Sequence, residues 1–186
     1  MSTWKIDPAH TDVAFSAKHM MVTTVRGKFD GVDGEIELDE ADPTAATGEI
    51  RVSAASLSTG FEARDQHLRS ADFFDAEQHP DIVARVASVE AKGNDDYLVT
   101  ADVTIRGVTR PVTFDAELNG VVPGMHGGRH AGIRLVGTVN REDWGLNWNV
   151  ALEKGSWLVG REIKLDIDVA LNEVVVAAEA PGSVAA

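Results

Sequence analysis

Apolar and polar residues alternate with period two over much of the chain. In Tyr97–Arg106, one face carries Tyr97, Val99, Ala101, Val103 and Ile105, and the other Leu98, Thr100, Asp102, Thr104 and Arg106. Val112–Asn119 sets Val112, Phe114, Ala116 and Leu118 against Thr113, Asp115, Glu117 and Asn119. Glu162–Leu171 does the same with Ile163, Leu165, Ile167, Val169 and Leu171. Such segments are half-buried antiparallel strands, one face to a core and one to water. Weaker copies run over Asp12–Lys18, Val32–Asp39, Glu49–Ser53, Ile82–Val89 and Ala131–Val139. In Ile82–Val89 the apolar parity slips after Val86, which predicts a bulge.

Turn residues separate these segments. Asp30-Gly31 and Asp33-Gly34 predict turns or bulges, and Lys92–Asp96 and Gly107–Pro111 predict hairpin loops. Pro123–Arg129 predicts a longer loop. One stretch breaks the alternation. Thr59-Gly60-Phe61-Glu62 has the spacing of a capping box, with Thr59 as N-cap and Glu62 at N3. A helix then runs to about Arg69, with Phe61, Arg64, Asp65 and Leu68 on one face. Eight meandering strands predict a sandwich or a barrel, and closure removes exposed strand edges. The predicted class is mainly β, a closed eight-stranded antiparallel barrel with a short helical insertion at about 59–75. One domain covers 1–173, and the Ala/Val-rich stretch 174–186 reads as a frayed tail.

Composition narrows the function. The 186 residues contain 17 Lys plus Arg against 30 Asp plus Glu, a net charge of −13. Nucleic acid and anionic headgroups repel such a surface unless the fold gathers a basic patch. The absence of Cys removes disulfides, thiolate catalysis and Cys-ligated metals. The first residues show no signal peptide, and no apolar run reaches the roughly 20 residues of a membrane-spanning helix. A cytoplasmic location is the expectation, and a homodimer is left open.

A barrel of eight strands is either filled by side chains or holds one small ligand. Inward Ala17, Ala101, Ala116 and Gly137 leave volume, which predicts a hollow interior suited to a long apolar chain. Burying about 20 methylene groups releases on the order of 16 kcal/mol before the losses of association. Affinity then needs few polar contacts. The candidate apolar wall is Phe15, Phe29, Ile50, Phe61, Leu68, Phe73, Phe74, Val103, Ile105, Phe114, Leu135, Trp144, Trp148 and Trp157. Phe73 and Phe74 are adjacent, so one ring packs inward while the other anchors the turn. Arg64, His67 and Arg141 are the candidate head-group contacts, because cations and imidazoles at a mouth bind phosphate, carboxylate or carbonyl. Arg64 and Asp65 also read as an ion pair that fixes the helix.

The chain resembles the YceI-like family. The resemblance rests on Trp4-Lys5-Ile6-Asp7-Pro8-Ala9-His10-Thr11 with Val13–Ser16, Lys18-His19-Met20, and Val25-Arg26-Gly27-Lys28-Phe29. It continues through Arg64–Leu68, Asp72–Asp75, His79-Pro80, Asn140–Leu146, and Val159-Gly160 with Glu162-Ile163. It implies a bacterial, lipocalin-like extended barrel with a long pocket for polyisoprenoids, isoprenoid quinones or fatty acyl chains, without catalysis or a cofactor. Many members of the family are periplasmic, which this N-terminus does not suggest. Trp144 stands where members typically carry Phe, which implies a narrower pocket there.

Other readings are weighed beside it. One is a lipid-modifying isomerase or hydrolase using His67 and Asp65. Another is a haem or metal site on His10, His19 or His67. A third is a structural module with a filled barrel. His126 and His130 lie four apart, but Gly127-Gly128 argues against a helix that would align them. No nucleophile-elbow, phosphate-loop or zinc-helix motif is present.

Overall fold

The computed structural model describes residues 1–125 and 127–175. His126 and most of the expected tail, from 176 on, lie outside the described residues. One sheet contains β1 (Ser2–Ile6), β2 (Asp12–His19), β3 (Thr23–Phe29), β4 (Val32–Leu38), β5 (Thr47–Ser53) and β6 (Leu57–Ser58). It continues with β7 (Asp81–Gly93), β8 (Asp96–Ile105), β9 (Val108–Pro123), β10 (Arg129–Asn140) and β11 (Val159–Glu173). Helix α1 spans Glu62–Arg69.

Eight strands close into a ring in the order β1-β4-β5-β7-β8-β9-β10-β11, with β11 pairing back onto β1 through Trp4↔Glu173 and Ile6↔Leu171. The expected eight-stranded antiparallel barrel is present, but its membership differs. The ring uses β1, which the alternation did not reveal, and β2 branches from β11 with β3 and β6 outside the ring. The first half of β11 pairs with β2 (Leu165↔Phe15) and its last residues pair with β1. Thus β1 and β2 form one line along β11, broken by the Asp7–Thr11 turn, and β3 and β4 form the matching line beside them.

The bulge in β7 is where parity predicted it, between Val86 and Ser88 opposite Ala101 and Thr100. The Gly107–Pro111 loop is a correction. The turn is only Arg106-Gly107, both with positive φ, and Pro111 lies inside β9 opposite Asp102. A proline fits there because β10 pairs with β9 only as far as Asp115, which leaves that flank of β9 without a partner strand. The Asp33-Gly34 turn is a second correction, because both residues lie within β4.

The helix start also differs from expectation. Phe61, not Thr59, is the N-cap, and it makes no side-chain cap bond. Gly60 has a φ of 78°, a left-handed bend that takes Thr59 out of the capping position. Thr59 acts instead as an anchor. Its backbone N–H donates to Asp65 Oδ1 at 2.9 Å, and its hydroxyl donates to the same carboxylate. The same hydroxyl accepts from Arg64 Nε at 2.7 Å. Asp65 is buried as a result, while Phe61 is 61% exposed.

Two apolar clusters fill the interior. One joins Trp4, Ile6, Phe29, Val32, Ile36, Leu38, Leu57, Ala131 and Leu171, and the other joins Ala101, Val112, Phe114, Trp144 and Leu146. Phe74, from the segment after α1, packs against both.

Candidate functional site

The inward faces of seven ring strands line a partly open apolar cavity of about 110 Å³. Its wall is Ile36 and Leu38 (β4), Ile50 (β5), Val86 and Val89 (β7), Tyr97 and Val99 (β8), Ala116 and Leu118 (β9), Ile133 and Leu135 (β10), and Val169 and Leu171 (β11). Pro43 and Ala46 complete it from the β4–β5 connection. These two are the non-strand part of the wall. Every other lining residue is held by ladder hydrogen bonds.

This cavity is smaller than the sequence led us to expect. Ligand pockets commonly measure ~300–1,000 Å³. Aromatic rings account for the difference. Phe15 lies over Gly27 of the paired strand, where an added Cβ would come 2.4 Å from the ring. Phe114 lies over Gly137 in the same way, at 2.8 Å. The space attributed to Gly137 is therefore occupied. Phe29 packs at 5.5 Å from Phe15 and edge-on to Phe74 at 5.7 Å. The bore is thus filled at the α1 end and open in its other half.

Of the candidate wall, Ile50 and Leu135 face the cavity. Phe15, Phe29, Leu68 and Phe74 belong to the first core cluster or pack on it. Val103, Ile105, Phe114 and Trp144 belong to the second in the same sense. Trp144 is buried and its indole N–H donates to the Val103 carbonyl at 3.0 Å. Phe73 is buried beneath Trp148 (5.5 Å) and His67 (5.2 Å), so Phe74 is the ring that reaches both clusters and Phe73 anchors the turn. Phe61 and Trp157 (40% exposed) lie at the surface, each beside an arginine: Arg64 and Arg161 respectively. They do not line the cavity, because Phe61 precedes the helix and Trp157 sits on the loop before β11.

The polar candidates do not meet at a mouth. Arg64 is committed to the Thr59 hydroxyl and carbonyl. His67 Nε2 is 2.8 Å from Asp72 on the surface. Arg141 is buried, and it donates to the carbonyls of Gly160 (3.0 Å), Leu146 and Val159. Burial pushes its guanidinium below the ordinary value. Arg141 therefore pins the 144–160 loop to β11. Among the described residues, no three His, Asp or Glu side chains stand close enough to hold a metal ion.

Inward parity turns these aliphatic side chains toward the interior but does not single them out from the rings that share it. Parity says which way a side chain points, not whether its neighbours leave room. A second element also escaped the sequence. At the cavity end of the ring, Arg129 donates to both carboxylate oxygens of Glu173 (2.9 and 2.7 Å), pairs with Glu40, and lies 5.3 Å over the fully buried Trp4 ring. Arg129 holds the Glu173 carboxyl down at about 2.

A shallow groove of about 150 Å³ lies on the outer face at Lys92, Asp115 and Arg134. Its cations are already paired, Lys92 with Asp115 and Arg134 with Asp166. The apolar cavity is the better candidate, since its lining carries no charged side chain that a ligand would have to compete with.

The fold and interior define a small closed antiparallel barrel with an apolar bore. The chain belongs to the YceI-like family: the YceI-like domain matches residues 4–171. A UPF0312 protein of Staphylococcus aureus strain N315 is 37% identical over 167 residues, covering 89% of this chain and 95% of that protein. The crystal structure of a Campylobacter jejuni YceI protein aligns with a TM-score of 0.73 at 29% identity, covering 85% of this chain and 90% of that one. A domain from Saccharophagus degradans, described as polyisoprenoid binding, aligns with a TM-score of 0.65 at 14% identity over 94% of this chain and all of that one.

Proposed function

We propose that the barrel binds a long-chain amphiphile of polyisoprenoid, isoprenoid quinone or fatty acyl type in its interior and performs no reaction on it. The observation that carries this reading is the apolar cavity of the barrel interior, whose lining is aliphatic apart from Tyr97. Such a lining gives affinity by removing methylene groups from water and offers a tail no directed polar contact. The description of the Saccharophagus domain supports the reading by analogy of fold. Asp65 and His67, the residues an enzyme reading would use, are engaged with Thr59 and Asp72 and do not line the cavity.

A long tail needs more than about 110 Å³. The wall can widen most readily at the 39–46 strap, because moving Pro43 and Ala46 breaks no strand pairing. The test is native mass spectrometry of the purified protein, followed by solvent extraction and titration with a fluorescent fatty acid. The wild type is expected to release a lipid or bind the probe saturably. Ala116→Phe, which fills the cavity, is expected to weaken the probe about tenfold or more while remaining folded. Absence of extractable lipid together with no saturable probe binding by the wild type overturns the reading.

A further inference from the structure

The β2–β3 hairpin differs from the rest of the molecule in charge. From Val13 to Phe29 it contains no Asp or Glu, in a chain that carries 30 of them. Because Phe15 and Phe29 face the core, Lys18, Arg26 and Lys28 share the outward face. Lys28 is paired with Asp30 at 2.7 Å, and Lys18 donates to the Thr24 hydroxyl at 3.0 Å. Among the described residues, Lys18 and Arg26 have no carboxylate partner.

The tip of this hairpin is apolar. Met20, Met21 and Val22 are 45%, 53% and 78% exposed. Met20 and Met21 have φ of 50° and 64°, and the Val22 N–H donates to the His19 carbonyl at 3.2 Å. Two successive left-handed residues favour Asn and Gly and disfavour side chains as large as Met. Turn chemistry therefore does not explain the two methionines. The Met20 N–H bonds the Leu158 carbonyl, and Leu158 bonds Val150, so exposed Val150 and Trp157 stand beside the tip. Arg161 lies over the Trp157 ring and pairs with Glu142.

We propose that the hairpin tip docks onto an anionic bilayer surface, with Met20, Met21 and Val22 entering the interface and Lys18 and Arg26 behind them meeting the headgroups. A few protruding side chains are too small a patch for a stable protein contact, which needs about 800 Å² on each partner. A bilayer accepts such a tip and rewards adjacent cations and an interfacial Trp. The net charge of −13 opposes approach only through the solvent. At physiological salt it is screened beyond roughly 8 Å, so the local cations decide.

The test is co-sedimentation with vesicles of phosphatidylcholine, alone or with about 30% phosphatidylglycerol. The wild type is expected to bind the anionic vesicles at physiological salt, and more weakly as salt rises above it. Met20→Asn combined with Met21→Gly supplies the residues the turn prefers. It is expected to keep or raise the melting temperature while lowering partition about tenfold. Lys18→Gln and Arg26→Gln are each expected to cost about fivefold. No binding by the wild type at physiological salt, or unchanged binding by the Asn-Gly variant, overturns the proposal. So does self-association in light scattering that the Asn-Gly variant abolishes, which would assign the tip to a second copy of the chain.

Discussion

At the residue scale, two glycines decide how full the barrel is. Gly27 and Gly137 sit at inward positions of β3 and β10, where an alternating strand would carry an apolar side chain. Each lets a neighbouring phenylalanine lie flat against the wall, so that a ring covers the backbone the glycine exposes. Gly27→Ala places a Cβ 2.4 Å from Phe15 Cζ and 2.8 Å from Thr59 Cγ2. The ring has nowhere to swing, because Phe29 packs at 5.5 Å on it. We expect a loss of about 1–2 kcal/mol, the cost of overpacking less the smaller gain of a stiffer unfolded chain. Urea denaturation measures it. Adding Phe15→Leu should cost less in the Gly27→Ala background than in the wild type, since the smaller side chain relieves the clash. A strictly additive double variant would show that the two residues do not interact.

At the scale of elements, the insertion is fastened by its polar groups as much as by its apolar ones. Asp65 on α1 reaches back to Thr59, and Arg69 reaches the Leu57 carbonyl, so the helix is tied to the short strand β6 that precedes it. Thr59→Val keeps the shape and removes the hydroxyl that Asp65 accepts from and Arg64 donates to. A buried carboxylate then loses one of its two partners at Thr59. The expected destabilisation is about 1–3 kcal/mol, read from thermal or urea unfolding. Thr59→Ser should restore most of it, whereas a Thr59→Val variant as stable as the wild type, with the loss confined to Ser, would show that the methyl group matters and the hydroxyl does not. The same scale explains the elements that alternation missed. Strand β1 is five residues long, with Trp4 and Ile6 as its large inward side chains, and β3 has Gly27 where parity asks for an apolar residue. Neither leaves a clear period of two.

At the scale of the whole molecule, ring closure depends on a few groups at the seam. Strand β1 meets β11 over three residue pairs, and Arg129 fastens that end by binding Glu173 of β11, Glu40 of the strap and the Ser2 hydroxyl. The Glu173 carboxyl lies at about 2, below its ordinary 4.5, chiefly through the Arg129 hydrogen bonds. A depressed carboxyl contributes its stability fully above the ordinary value and loses it as pH falls toward the folded one. The wild-type melting temperature should therefore drop between about pH 4.5 and 2 in part because of this group. Glu173→Gln should start lower at neutral pH and fall less steeply across that window. Parallel curves for the two proteins would remove Glu173 from the account.

The sequence by itself determined the strand set of β2, β4, β5 and β7–β11, the bulge after Val86 and the parity of the wall, because period two is a local property of a pleated chain with one wet face. It also carried the resemblance that the domain match bears out. It did not determine which strands close the ring, where Thr59 bonds, or which inward residues face a cavity. Those depend on contacts between residues far apart in the chain. Phe114 fills the space over Gly137 because β9 and β10 are neighbours, and Arg129 meets Glu40 because closure brings β10 to the β4–β5 strap. A pattern along one strand states a direction, and only the assembled barrel states what already stands there.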